Sequence, residues 1–348
     1  MSVLGQIVDR MSGGRLTKHD LEGRINRYMH SGERSEGDGE ALVDAFLKSG
    51  GTWLTDASAR LRQSRPSYDY SAARDVLGLW RAPGSFDKTL DQLTRDGYAI
   101  LDVRIPVEVI NELSEYFSTA PCTLTSDAGA KLPDGETTTV DFTNPAAEKY
   151  DVTTGAVLQS STVRSLLLDR GLLQIAQAYC GSAPVIDIVV AWYSFPQPYA
   201  SHEAGQLYHF DLDRVRWLKA FLLLSDQDAE TGAHMYVPGS QADEGIDKAL
   251  LARGYARLED HEVADFYPPS SWKTMDGVAG VILLEDTRGL HKGTPLVRDH
   301  RLMLQFEYAQ SLFGHPAGLE SAEIEPIDDP YWDQMHAAYP ELFEALRR

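Results

Sequence analysis

The stretch APVIDIVVAWYSF, residues 183–195, is where the hydrophobic period of the chain changes from helical to extended. Just before it, SSTVRSLLLDRGLLQIAQAYCG (160–181) reads as helix, with Gly181 placed as its stop. After it come four more short runs: RWLKAFLLLSD (216–226), HMYVPGS (234–240), GVAGVILLE (277–285) and RLMLQFEYAQ (301–310). Each is apolar or alternating and is bounded by turn-prone residues. Closely spaced strands with no helices between them predict an antiparallel sandwich or barrel. The expected class is therefore mainly β with flanking helices.

Upstream of that core, FDKTLDQLTRDGYAILD (86–102) predicts a helix that ends near Gly97 and runs into a strand. PVEVINELSEYF (106–117) predicts another helix, with Pro106 suited to its first turn. Farther back, Thr17 to Asp20 opens LTKHDLEGRINRYMH (16–30) as a capping box opens a helix, and ALVDAFLKSGG (41–51) ends in two glycines. The polar run SGERSEGDGE (31–40) reads as a linker, and Ala82-Pro83-Gly84 as a boundary. The organisation expected is a helical extension over 1–85, then a β domain over 86–348 that closes with a helical tail. Residues 127–151, DAGAKLPDGETTTVDFTNPAAEKYD, read as a long polar loop of the kind that covers active sites.

Composition narrows the function. In 348 residues there are 52 acidic and 32 basic side chains, a formal charge of −20. Nucleic acid and anionic membranes are bound through an excess of Lys and Arg, so both are disfavoured as partners. No apolar run approaches the ~20 residues that span a bilayer, and the N-terminus lacks a signal-peptide layout. Only Cys122 and Cys180 are present, which excludes a disulfide framework or thiolate metal site. A cytoplasmic enzyme-sized protein is expected.

The chemistry is concentrated in QLYHFDLDRVRW (206–217), which contains His209-Phe210-Asp211. In an extended segment residues i and i+2 face the same side, roughly 6–7 Å apart at Cα, so both side chains reach one divalent cation. With 10 His and 52 acids in the chain, roughly one or two His-x-acid triplets arise by chance, so context must decide. That context is His291, just after the run 277–285, and Arg301, ten residues farther, opening the strand 301–310. Two His and one carboxylate form a facial triad that leaves open positions on Fe(II) for cosubstrate and O2. A planar guanidinium at the start of an interior strand is suited to bind the distal carboxylate of 2-oxoglutarate bidentately.

These residues carry a resemblance. YHFDLDRVRWLKAFLLLSDQDAETGAHMYVPGSQ (208–241) resembles the core of the phytanoyl-CoA dioxygenase family, LHKGTPLVRDHRLMLQFEY (290–308) its distal His and cosubstrate Arg, and residues 93–117 its opening. The resemblance spans about 86–312. It implies a double-stranded β-helix (jelly roll), with Fe(II) held by His209, Asp211 and His291, 2-oxoglutarate held by Arg301, and O2 as oxidant. The implied reaction is hydroxylation of a small-molecule substrate, with no catalytic residue beyond the metal ligands. Two positions depart from the family pattern: Gln241 stands where the Pro-Gly-Ser element usually ends in His, and Tyr208 where many members have Trp. Halogenating relatives replace the triad carboxylate with a small residue, so Asp211 argues against that chemistry. No dense Lys/Arg cluster awaits a CoA thioester, which favours a small polar substrate.

Other candidates have plainer readings. His202 reads as a loop residue, His234 as a packing residue or a support for a ligand, and Arg298 as a turn residue. Arg214 and Arg216 lie among Asp211 and Asp213, where an ion-pair network is expected. Trp192 and Tyr193 read as core. Lys219 faces either inward to an acid or outward; the sequence leaves both open. Two other functions also stay open. One is a cupin-type metalloenzyme without 2-oxoglutarate; the other is a non-catalytic binding protein on the same fold.

Overall fold

The computed structural model describes residues 16–127, 129–197, 199–316 and 318–346. Three N-terminal helices come first: α1 (Lys18–Ser31), α2 (Asp38–Ser49) and α3 (Thr52–Gln63). The capping box is formed as the sequence predicts, with Thr17 and Asp20 each bonding the other's backbone N–H. Next come α4 (Ser85–Asp96), β1 (Tyr98–Ile100), α5 (Val107–Ser118), β2 (Cys122–Thr125) and β3 (Lys149–Val152). The polar stretch read as a loop joins a strand pair: β2 ends just before it and β3 begins within its last residues, with Thr125 opposite Lys149 and Cys122 opposite Val152.

The run 160–181 is not one helix. After α6 (Thr154–Gln159) it forms α7 (Ser161–Leu167) and α8 (Arg170–Cys180). Asp169 makes the break: its carboxylate accepts the N–H groups of Gly171 and Leu172 at 2.8 and 3.2 Å, an N-cap that restarts the helix. It also accepts those of Val76 and Leu77, tying the chain before α4 to the same point.

The remaining strands are β4 (Val185–Ser194), β5 (Trp217–Leu223), β6 (His234–Tyr236), β7 (Lys273–Met275), β8 (Ile282–Glu285), β9 (His291–Gly293) and β10 (Arg301–Ala309). Short helices α9 (Lys248–Leu251) and α10 (Asp260–Ala264) lie between β6 and β7, and α11 (Pro330–Ala338) closes the chain with a 3-10 turn. A seven-stranded sheet has the order β1-β8-β5-β10-β4-β3-β2, and a three-stranded sheet the order β7-β6-β9. All pairings are antiparallel. The two sheets form a jelly roll with helices on the outside. No helix among the described residues is long and apolar enough to cross a membrane.

β10 explains how one sheet serves two purposes. Every residue from Arg301 to Ala309 is buried, yet the sequence still alternates. Leu302, Leu304, Phe306 and Tyr308 join the helix-covered core. Arg301, Met303 and Gln305 turn the other way and line a cavity between the sheets. The same period divides β5 into Leu218, Ala220 and Leu222 outside, and Lys219 and Phe221 inside. Near its end β10 skips a residue of β4: Glu307 pairs with Ile188 but Tyr308 with Ile186, so Asp187 is bulged out of the ladder.

Candidate metal centre

His291 is the first residue of β9 in the small sheet. His209 joins it through a two-way backbone bridge, His209 N–H to His291 O at 3.0 Å and the reverse at 2.9 Å. Asp211, two residues on, donates its N–H to Thr287 O at 2.7 Å. This pairing brings the three side chains together, with one ligand atom from each lying within 4.8 Å of the others. His209 Nε2 lies 3.8 Å from Asp211 Oδ1, and His291 Nε2 lies 3.6 Å from Asp211 Oδ2. Cis ligands about 2.1 Å from an octahedral ion stand about 3 Å apart, so the trio closes on a cation with a small inward movement.

The imidazoles are prepared for this. Nδ1–H of His209 donates to Leu207 O at 2.9 Å, and that of His291 to Gly289 O at 2.9 Å. Each ring is thereby fixed with its Nε2 lone pair toward the Asp211 carboxylate. Burial depresses the pKa of both rings, that of His209 well below its usual value with help from His291 and Arg257. Both are neutral at physiological pH, the form in which an imidazole can bind a metal.

Lys219 settles the question the sequence left open. It points inward and donates to Asp211 Oδ2 at 2.7 Å and to Asp213 Oδ2 at 2.9 Å, with Glu307 at ion-pair distance, 3.4 Å. Burial works against the Asp211 carboxylate, but Lys219 and the two imidazoles overcome it and hold the group well below the usual carboxylate range. Burial and the Asp213 charge push Glu307 well above its usual value, against the opposing pull of Lys219. Lys219 remains protonated despite its burial, because the acids around it raise its pKa. A single cation is shared among three acids, and the triad carboxylate holds the closest contact.

Arg301 enters the same cavity. Its guanidinium donates to Gly232 O, and to Ser194 Oγ at 3.2 Å, while Nε has no partner. No carboxylate pairs with it among the described residues, and burial alone pulls its pKa down to about 10. An uncompensated buried cation is costly to keep unless a ligand completes it. The cavity, about 240 Å³, is also lined by Trp192, Phe221, His234, Lys149 and Asp151. Trp192 was expected in the core; its ring faces the cavity instead, because it lies opposite Met303 on the inward row of β10. Tyr193, its neighbour, is buried in the outer core.

The other candidates lie outside the His209, Asp211 and His291 cluster. His234 stacks on His291, with ring centroids 5.5 Å apart and planes 6° apart, and its Nε2 meets Glu285 at 3.1 Å. His202 is exposed, and its backbone N–H is held by Asp127. Arg298 is a surface hub for Asp228, Glu230 and Asp299. Arg214 does form an ion-pair network, but with the bulged Asp187 and with Glu320, not with its sequence neighbours. Arg216 donates to Tyr179 O and lies over that residue's ring. Gln241 donates to the Thr94 and Arg95 carbonyls, pinning its turn to the end of α4. Lys149 and Asp151 were missed, because they lie on the unrecognised strand β3, where they form an ion pair at 2.6 Å.

Gly289 makes a local test of the His291 support. A Cβ there would lie 2.1 Å from the Tyr236 hydroxyl and 2.8 Å from Ser240 Oγ. Gly289→Ala is expected to shift the carbonyl that orients His291 and to weaken divalent-metal binding roughly 10-fold or more, measured by equilibrium titration.

No family model matches this chain, and no curated protein matches it. Solved structures that resemble it include EctD from S. alaskensis with bound Fe, 16% identical, covering 77% of this chain and 92% of that one at a TM-score of 0.45. Another is SnoN, described as a non-heme alpha ketoglutarate dependent epimerase from nogalamycin biosynthesis, 18% identical over 66% of this chain and 84% of that one, TM-score 0.44. A third is HygX from Streptomyces hygroscopicus with nickel and 2-oxoglutarate bound, 17% identical over 64% of this chain and 86% of that one, TM-score 0.42.

Proposed function

We propose that the protein is an Fe(II)/2-oxoglutarate-dependent oxygenase acting on a small molecule. His209, Asp211 and His291 would hold the iron, and Arg301 would bind the distal carboxylate of 2-oxoglutarate. The observation that carries the reading is Arg301: a buried guanidinium with no acidic partner among the described residues, in the same cavity as a two-His, one-carboxylate cluster. A metal site working without 2-oxoglutarate would have no use for that unpaired charge.

Bound there, iron with 2-oxoglutarate and O2 supplies an oxidant for an unactivated C–H bond, releasing succinate and CO2. The residues of the chain bind, orient and shield. Leu207 and Gly289 carbonyls fix the two imidazoles, and Lys219 holds Asp211 ionised. Arg301 fixes the far end of the cosubstrate, and Trp192, Phe221 and Met303 wall the cavity against water. The test is uncoupled turnover: succinate formed from 2-oxoglutarate, aerobically, by iron-loaded protein without substrate. The reading expects succinate formation that disappears in His209→Ala and His291→Ala. Equal rates in those variants would refute it.

Acidity provides an independent check on the imidazoles. Their folded-state pKa values lie below the ordinary value, so on acidification the unfolded chain takes up protons first. Their contribution to stability is complete above about pH 6.5 and is lost as pH falls below it. The metal-free protein should therefore melt at lower temperature at pH 5.5 than at pH 7.5, and His209→Gln should narrow that gap.

A further inference from the structure

We infer that the N-terminal helices form the back wall of the metal centre and that Phe46, on α2, is a positioning residue for His209 and Asp211. This rests on the metal-centre reading above and extends it to a part of the chain that reaches no ligand.

The ligand-bearing segment 208–212 alternates. His209 and Asp211 turn to the cavity, while Tyr208, Phe210 and Leu212 turn away from it. Those three join a hydrophobic cluster with Leu21, Ile25 and Tyr28 of α1, Leu42 and Phe46 of α2, and Leu54 and Leu61 of α3. Phe210, the residue between the two ligands, has its ring centroid 5.3 Å from that of Phe46 and 5.3 Å from that of Tyr255. The segment itself belongs to no regular strand. It is held by single bridges, Tyr208 to Leu258 and His209 to His291, and by the Asp211 bond to Thr287. Such sparse pairing leaves its depth in the fold to what packs behind it.

That matters because the third ligand belongs to another element, joined to this segment by the His209 bridge. His291 sits in the small sheet, paired with Tyr236 of β6. A void behind Phe210 would let residues 209–211 relax outward, away from His291, and first-row metals bind weakly to ligands even slightly misplaced. A second tie acts just beyond the segment. Arg214, fully buried, donates to both Asp187 oxygens at 2.5 and 2.8 Å and to Glu320 at 2.9 Å. Glu320 in turn accepts two bonds from Arg34, which follows α1, at 2.8 and 2.9 Å. The N-terminal region therefore grips the ligand segment through an aromatic contact in its middle and an ionic chain at its end.

The experiment is an anaerobic Co(II) titration of the full chain, read by the ligand-field spectrum, for wild type, Phe46→Leu, Phe46→Ala and Leu61→Ala, with thermal midpoints for each. Leu61 is buried in the same cluster, on α3, so its truncation controls for simple loss of packing. The expected result is graded: a few-fold weaker Co(II) binding in Phe46→Leu, roughly 10-fold or more with a changed spectrum in Phe46→Ala, and affinity within about twofold of wild type for Leu61→Ala although its midpoint falls. If Phe46→Ala does not fold, Phe46→Leu decides. The inference is overturned if the folded Phe46 variants bind Co(II) as wild type does, or if Leu61→Ala loses as much affinity as Phe46→Ala. Failure of the metal site itself looks different: Asp211→Ala would then bind Co(II) as tightly as wild type.

Discussion

Asp211→Ala is expected to lower Fe(II) affinity by more than about 100-fold and to abolish uncoupled 2-oxoglutarate turnover. Perturbing groups that only orient ligands typically costs 10–100-fold, so removing a ligand should cost more. Two further effects act in the same direction. Asp211 is the triad's only anion, and without it two neutral imidazoles face a dication. Lys219, whose ammonium lies 2.7 Å from the Asp211 carboxylate, would lose its nearest counter-charge and repel the metal. Asp211→Asn separates these contributions, keeping the shape while removing the charge. It should bind metal better than Asp211→Ala and far worse than wild type, as read by anaerobic titration.

The second large effect belongs to Arg301. Arg301→Leu should raise the dissociation constant for 2-oxoglutarate by about 30-fold to several thousand-fold, the range in which a buried charged pair costs about 2–5 kcal/mol when one partner is removed. Metal affinity in the absence of 2-oxoglutarate should change little, since no triad residue bonds the guanidinium. Stability should move the other way. The wild-type cation is buried with Nε unsatisfied and, among the described residues, no acid beside it, so the shorter, apolar Leu should leave the metal-free protein as stable or more stable. Arg301→Lys keeps the charge but not the fork, and should fall between the two in 2-oxoglutarate affinity. Calorimetric titration with a thermal melt on the same samples reads both halves.

Much of this centre was legible because its residue types are rare in their positions. A His-x-Asp followed by a distant His after an apolar strand, and an Arg at the mouth of the next, restrict the chemistry before any coordinates. The five apolar runs likewise became β4, β5, β6, β8 and β10. What stayed hidden depended on register. Lys219 and Trp192 sit on strands whose period was plain, but the face each presents depends on which residue of β10 lies opposite, and that pairing is non-local. β2 (CTLT) and β3 (KYDV) escaped because each is only four residues long at the sheet edge, so an alternation that is present does not stand out from the polar loop beside it. Asp169 lies in a stretch with helical period throughout; only its capping bonds reveal the break. Packing of α1–α3 against Phe210 was equally invisible, since nothing in either segment specifies the other.

The proposed site places in one cavity a metal on His209, Asp211 and His291 together with 2-oxoglutarate on Arg301. Its most direct test is an anaerobic titration of the wild-type protein with Fe(II) and then 2-oxoglutarate, followed in the visible. The proposed site should give a charge-transfer band that requires both additions, saturates at one equivalent of each, and is lost in Asp211→Ala and in Arg301→Leu at the same 2-oxoglutarate concentration. A wild-type protein that shows no such band, or a band unchanged in those two variants, would contradict it.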